Sequence, residues 1–516
     1  MVGQTNTMRG DKYMDISNHS QQQDILEDQQ LFELRLDDIR RRVQRLDFSQ
    51  NRYIEFCEEN DLTLDKTGVK VSDTIQTLIS ETIQEFELDY STFDHASNDV
   101  RAYSRYITRQ NFRIRNLLLL LRQCCAHLEW SSGSYSQAVV PSFLDVRKQT
   151  GQIVNYDRWE SFMIQDLERE LAKDIYALED DWSLLLTSSG MAAYATLHHY
   201  LTTYLSPGDN ILIPVPVYHE AQVLISAVNG IEIRNLGTTD ISEIIQAIDS
   251  KTRALFLTPI TNNEPLNFLD IEALIRGIHQ LDQEIYLIVD GTMSGGLTHP
   301  ERYISATSKI ELLYFESGNK YQQFEDTGMK GIVIIPQRLK TEMALVRQRL
   351  GTILYDQVAV GLPQAISHDE MKRKLERFSR NALLLSNCVN ADPRLQGFCT
   401  INYPGNESHR NFPVARQYPL MTLGGVVTFS FDSTSFYNLE RLEGVINTLI
   451  QFCQQDGIPF CKGDSYGFSI PRIHIGDSKT DHPFLRLCVG NRSIDECNAF
   501  INCVVNCLIE HRKAYG

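Results

Sequence analysis

Between residues 182 and 336 the chain alternates short aliphatic and β-branched runs with amphipathic stretches. The runs are "WSLLLTSS", "NILIPVPV", "IEIRNL", "RALFLTPI", "EIYLIVDG", "IELLYFES" and "GIVIIP". Between them lie "GMAAYATLHHYLTTYL", "YHEAQVLISAVN", "DISEIIQAIDS" and "LDIEALIRGIHQL". Near-continuous apolar strands separated by helices need cover on both faces, so this alternation predicts an α/β domain built on a mostly parallel sheet. After about residue 365 the pattern loosens. "GGVVTFSFD" and "FLRLCVG" read as strands and "SIDECNAFINCVVNCLIEHRK" as a closing helix, which predicts a smaller α+β domain. The first 135 residues read as helical. Phe32, Leu36, Ile39, Val43 and Leu46 make one apolar stripe. "VSDTIQTLISETIQEFEL" repeats the pattern with Ser72 as its expected cap, and "RYITRQNFRIRNLLLLLRQCCAHLEW" is a third helical stretch. At 516 residues the chain exceeds one core. The expected division is a helical extension at 1–135, a large domain at 136–365 and a small domain at 366–516.

Charge excludes some partners. A net charge of −17 argues against nucleic acid or an anionic membrane. The extension carries 16 Lys and Arg against 22 Asp and Glu, which suits packing or protein contact rather than reading DNA. The longest aliphatic run, Leu117 to Leu121, is flanked by Arg113, Arg115 and Arg122 and cannot span a bilayer. The start, "MVGQTNTMRGDKYMD", has no apolar secretory core. The 11 cysteines form no CxxC pair, and Cys503 and Cys507 have no further ligands to complete a metal set. Buried free thiols in the cytoplasm, and no metal, are the expectation.

In an open α/β sheet, ligands bind beyond the carboxyl ends of the strands. Thr187, Ser188, Ser189, Gly190 and Met191 follow the first strand and open a helix, where free N–H groups favour an anion. Tyr218 follows the second strand, Asn262 the fourth, and Asp290 the fifth. Lys320 follows the sixth, although buried lysines are costly. An anion cradle, an aromatic ring, an amide, a carboxylate and a lysine in that order are the parts of a pyridoxal-phosphate site. The lysine amine condenses with the aldehyde, the carboxylate keeps the pyridine nitrogen protonated, and the ring stacks on the aromatic.

These motifs resemble the cystathionine γ-synthase-like, or Cys/Met metabolism, family of fold-type I pyridoxal-phosphate-dependent enzymes. Ser317-Gly318-Asn319-Lys320-Tyr321 resembles its lysine motif, "SSGMAA" its phosphate loop, "TPITNNEPLNFLDI" the segment that brings Asn262 to the cofactor, and "VDGTMSGG" the segment of Asp290. The resemblance implies that Ser189, Gly190, Met191, Tyr218, Asn262, Asp290, Ser317, Asn319 and Lys320 bind cofactor. It makes Tyr156 and Arg158, in "NYDRW", phosphate ligands for a neighbouring subunit's site. "LRLCVGNRSIDE" makes Arg486 the grip on the substrate carboxylate, and "DSYGF" places Ser465 and Tyr466 beside substrate. Lys320, Tyr218 and Asp290 are the implied catalytic groups.

Several positions depart from the family pattern. Asn319 replaces a threonine, Asn263 a proline, Phe324-Glu325-Asp326-Thr327 a GHSD, and His219-Glu220 a glycine pair. They lie on the substrate side. The family implies β- or γ-elimination or replacement on an activated homoserine- or S-adenosylmethionine-like substrate, in a specialised pathway, within a homodimer or homotetramer with shared sites. An aminotransferase or decarboxylase on the same fold, or a non-catalytic pyridoxal-phosphate-binding regulator, remain the alternative readings.

Overall fold

The computed structural model describes residues 162–515 apart from 296–297, 306–307, 323–328, 356–367 and 479–481, together with parts of 22–113. N-terminal to the sheets lie helical residues 22–31, helix α1 (Lys66–Thr92) and helix α2 (Phe162–Glu170). Ser72, expected as a cap, instead lies inside α1, which begins a turn and a half earlier.

The large sheet has seven strands: β1 (Trp182–Thr187), β2 (Asn210–Ile213), β3 (Glu232–Asn235), β4 (Thr252–Leu257), β5 (Ile285–Asp290), β6 (Ile310–Ser317) and β7 (Gly331–Pro336). Their spatial order is β1-β7-β6-β5-β4-β2-β3. All pairs are parallel except those of β7, which returns antiparallel beside both β6 and β1. No helix is described between β6 and β7, and a crossover helix is what a parallel return requires. Crossovers are supplied by α3 (Gly190–Tyr204), α4 (His219–Ser226), α5 (Ile241–Ala247) and α6 (Ile271–His279), and α7 (Lys340–Leu350) follows β7.

The strand period of two sorts side chains into two cores. Leu185, Phe256, Ile288, Leu313, Phe315 and Val333 pack with Ala193, Tyr194, Leu197 and Leu201 of α3. Leu184, Leu186, Leu255, Leu257, Leu287, Val289 and Leu312 join a larger cluster on the opposite face. Burying such a side chain stabilises by about 1.5–3 kcal/mol, so a one-residue slip in register is strongly disfavoured.

The second sheet has the order β10-β11-β12-β9-β8, from β8 (Cys399–Asn402), β9 (Val426–Phe431), β10 (Cys461–Lys462), β11 (Arg472–Gly476) and β12 (Phe484–Cys488). Helices α8 (His368–Ala391), α9 (Leu439–Gln455) and α10 (Ile494–Tyr515) belong to the same half. Ile401, Val427, Phe429, Ile473, Ile475, Leu485 and Leu487 face the common core. The alternate residues form a polar row. His474 pairs with Arg486, Arg486 with Thr428, and Thr428 with Asn402 across the strands. This row meets the loop after β4. Arg486 donates to Asn262 Oδ1 at 2.5 Å, and Asn402 donates to the Glu264 carbonyl at 3.0 Å. The boundary expected at 365/366 lies outside the described residues.

The N-terminal segment docks on the small half of its own chain. Asp24 is fully buried and accepts from Arg380 at 2.7 Å and from the Ile494 amide that opens α10, also at 2.7 Å. Glu27 and Asp28 pair with Arg377. An acidic side chain from more than 450 positions away thus caps α10.

Candidate active site

Lys320 lies just past β6, in a turn held from several sides. Lys330 Nζ donates to the Gln322 carbonyl at 2.9 Å and Lys374 Nζ to the Tyr321 carbonyl at 3.0 Å. The buried Tyr321 hydroxyl accepts from the Gly425 amide at 2.8 Å. Gln322 donates to the Gly295 carbonyl and to Glu316. With the turn fixed, the Lys320 amine donates to Ser465 Oγ at 2.5 Å and sits 5.3 Å from the Tyr466 ring centroid. Burial, then the positive charge of Arg486, bring its pKa down to about 8, with Arg472 adding to the effect and Asp290 opposing it.

The 465–467 segment is shaped for this contact. Ser465 has φ +80° and Gly467 φ +79°. A β-carbon on Gly467 would lie 2.5 Å from the Lys320 carbonyl carbon, so only glycine lets the two backbones meet. The left-handed serine is a strained conformation, and it aims the hydroxyl at the amine.

Asp290 ends β5 beside Phe315 of β6. It is buried, accepts from the Thr292 amide at 3.0 Å, and makes no ion pair among the described residues. Burial pushes its pKa up, against the Thr292 hydrogen bonds and the Lys320 charge. A carboxylate placed this way calls for a cationic N–H partner.

Ser189 caps α3, accepting from the Ala192 amide at 3.1 Å. The first-turn amides of that helix, Gly190 and Met191 among them, have no intrahelical acceptor. Gly190 brings the helix against the end of β6, since a β-carbon there would lie 2.6 Å from Ser317 Cβ. Ser317 donates to Asn319 Oδ1, and its amide donates to Thr292 Oγ1 at 3.0 Å. A helix N-terminus and two small polar side chains therefore converge beside the lysine turn.

Tyr218 stands at the start of α4 and is 42% exposed. Burial, then Glu220, push its phenol up to about 12, which keeps it a proton donor. Arg486 lies on β12 with its guanidinium 5.4 Å from the Tyr466 ring centroid, so one ring serves both cations. The structure thus gathers Ser189, Gly190, Met191, Asn262, Asp290, Ser317, Asn319, Lys320, Ser465, Tyr466 and Arg486 at the ends of the large-sheet strands, with Tyr218 at their rim. Tyr156, Arg158 and Phe324–Thr327 lie outside the described residues.

Some members of the site are absent from the sequence-based expectation. Glu316 is buried beneath the turn, accepts from Tyr176 at 3.1 Å and from Tyr314, and is pushed up to about 7 by burial. Its signal is an acid inside the run "LLYFES". Arg472 and His474 share the Arg486 face, and their signal is the alternation in "RIHIG".

This arrangement can hold a phosphorylated pyridine aldehyde. The α3 N-terminus with Ser317 and Asn319 suits the phosphate, Asp290 a protonated ring nitrogen, and an amine with a lowered pKa the aldehyde.

Comparison with known proteins agrees. The chain is 29% identical over 390 residues to the bifunctional enzyme flvA of Aspergillus flavus, an alignment covering 74% of this chain and 46% of that protein. The chain therefore spans about half the length of that relative. It is 23% identical over 348 residues to cystathionine beta-lyase of Neurospora crassa, covering 64% of this chain and 68% of the relative. Among solved structures, cystathionine gamma-lyase from Lactobacillus plantarum, complexed with L-serine, superposes with a TM-score of 0.56 at 18% identity, over 73% of this chain and 93% of that one. Residues 89–455 match one family along their whole length, and by that match the chain belongs to the Cys/Met metabolism PLP-dependent enzymes.

Proposed function

We propose that the chain acts on an amino acid, removing or replacing a substituent at its β or γ carbon. The observation that carries this reading is the position of the Lys320 amine, at hydrogen-bond distance from Ser465, beside Tyr466, and under the charges of both Asp290 and Arg486. Bound pyridoxal phosphate supplies an aldehyde for the substrate amine and an electron-accepting ring. Lys320 takes the Cα proton and returns it at a later carbon. Arg486, oriented by Asn262, holds the α-carboxylate. Asp290 would keep the ring nitrogen protonated, while Ser189, Gly190, Met191, Ser317 and Asn319 would hold the phosphate. Tyr218, kept protonated at the rim of the site, would flank the bound cofactor and donate a proton to the leaving group.

The departures around Tyr218 and after Tyr321 support an activated homoserine or a sulfonium amino acid as substrate, in a specialised pathway. Tyr156 and Arg158 support a homo-oligomer with shared sites. The reading also includes a cytoplasmic location and the three units 1–135, 136–365 and 366–516.

Borohydride reduction followed by peptide mapping tests the core of this reading. The reduced adduct belongs on Lys320, and an adduct elsewhere, or on no lysine, removes the reading. Release of a 2-oxo acid from O-acylhomoserines or S-adenosylmethionine, lost in Lys320→Ala, tests the reaction class.

A further inference from the structure

A second arginine faces the same space as Arg486. Arg472 is two residues before His474 on β11, and His474 is the cross-strand partner of Arg486. Arg472 and Arg486 are therefore diagonal neighbours on one face of the small sheet, with Cα atoms about 7–8 Å apart. Their shared face is the polar one, turned toward Asn262 and Lys320.

Among the described residues Arg472 meets a ring and a backbone rather than a counter-ion. Its guanidinium lies 4.7 Å from the Phe468 ring centroid, and Gly463 passes so close that a β-carbon there would lie 2.5 Å from Nη2. Among the described residues its Nε is buried without a hydrogen-bond partner and its guanidinium enters no ion pair. A guanidinium offers five N–H donors, and leaving buried donors unpaired is costly. The acid on this face, Asp464, is 85% exposed and pairs with His474 at 2.5 Å. Arg472 also lowers the Lys320 pKa, as Arg486 does, so both cations act on the reacting amine.

Arg486 is taken up by Asn262 and, on the reading above, by the substrate α-carboxylate. The geometry points to Arg472 as the site of a second carboxylate in the reaction. The diagonal spacing of the two arginines suits the two carboxylates of one short diacid, or one carboxylate from each of two reactants. A planar fork with a stacked face matches a carboxylate bidentately, and Phe468 holds that fork in place. This inference rests on the proposed amino-acid chemistry and narrows its substrate class.

The test uses the full-length holoenzyme and follows the cofactor absorption. In one arm L-glutamate is compared with L-glutamine, placing the second carboxylate on the amino acid. In the other, L-norvaline is held saturating and 2-oxobutanoate is compared with butanone by calorimetry, placing it on a second reactant. The anionic probe should bind about 10–100-fold more tightly in one arm, the worth of a charge-assisted pair. R472Q should abolish that preference, since any change it makes through the Lys320 amine falls equally on both probes of a pair, while R472K should keep part of it. Equal binding of both probes in both arms, or a preference that survives in R472Q, overturns the inference and leaves the proposed function standing. Absence of a borohydride adduct on Lys320 in the same preparations removes both.

Discussion

Replacing Gly467 by alanine separates backbone strain from site geometry. Two costs are built into this position. The residue has φ +79°, where an alanine costs about 1–2 kcal/mol. The added methyl would also lie 2.5 Å from the Lys320 carbonyl carbon, 2.7 Å from the Tyr321 nitrogen and 2.9 Å from the Lys320 oxygen. All three are backbone atoms, so no side-chain rotation relieves the clash. Ordinary contact begins at 3.4 Å. The backbone carrying Lys320 must then retreat by about 1 Å, and a displacement of that size costs about 100-fold in turnover. Gly208 provides the control, because it has φ +97° and nothing within 4 Å of its added carbon. Gly208→Ala should lose a similar 1–2 kcal/mol in urea unfolding and keep full activity. Gly467→Ala should lose that stability or more, react slowly with borohydride at Lys320, and turn over about 100-fold more slowly. Equal activity of the two variants would refute the claim that this contact positions the lysine.

Attachment of pyridoxal phosphate to the apo-protein should accelerate as pH rises through about 8, where the Lys320 amine loses its proton, and Arg486→Ala should move that midpoint upward because a repelling charge is gone; a midpoint near 10.5, the ordinary lysine value, would contradict the burial argument. Asp24→Ala leaves Arg380 buried without its carboxylate and should cost about 3–5 kcal/mol in unfolding experiments. Burial alone would raise the Asp24 pKa, but Arg377 and Arg380 hold it below the usual carboxylate value, so its stabilisation is complete at neutral pH and fades as pH falls below 3.8; a variant as stable as the parent would show the N-terminal segment to be dispensable. Asp290→Ala should bind cofactor weakly and lose most turnover, and near-normal rates would make Asp290 a turn residue only. Lys320→Ala and Arg158→Ala, each inactive alone, should regain activity in roughly a quarter of sites when co-refolded, if a two-fold dimer shares its sites; no recovery with well-folded controls refutes the sharing.

The order of chemistry along the chain was legible because strand ends in an α/β sheet are ligand positions by topology. Seven apolar runs identified the strands of the large sheet, and the residues after them named Ser189, Tyr218, Asn262, Asp290 and Lys320. Hydrophobic period is a local property, so local sequence carries it. The short strands β8, β10 and β11 were not legible, because β10 is two residues long and β11 alternates polar and apolar around an arginine and a histidine. The antiparallel return of β7 follows from the connection after β6, which no periodicity records. Only the tertiary structure placed Gly467 on the backbone of Lys320, Glu316 beneath the same turn, and Arg472 diagonal to Arg486. It also joined Asp24 to Arg380 and to the first amide of α10. Apart from the Gln322–Glu316 bond, which spans six positions, these contacts join residues from different elements of the fold, up to hundreds of positions apart. Their energies come from burial, close approach and unscreened charge, and those exist only once two sheets have packed and excluded water.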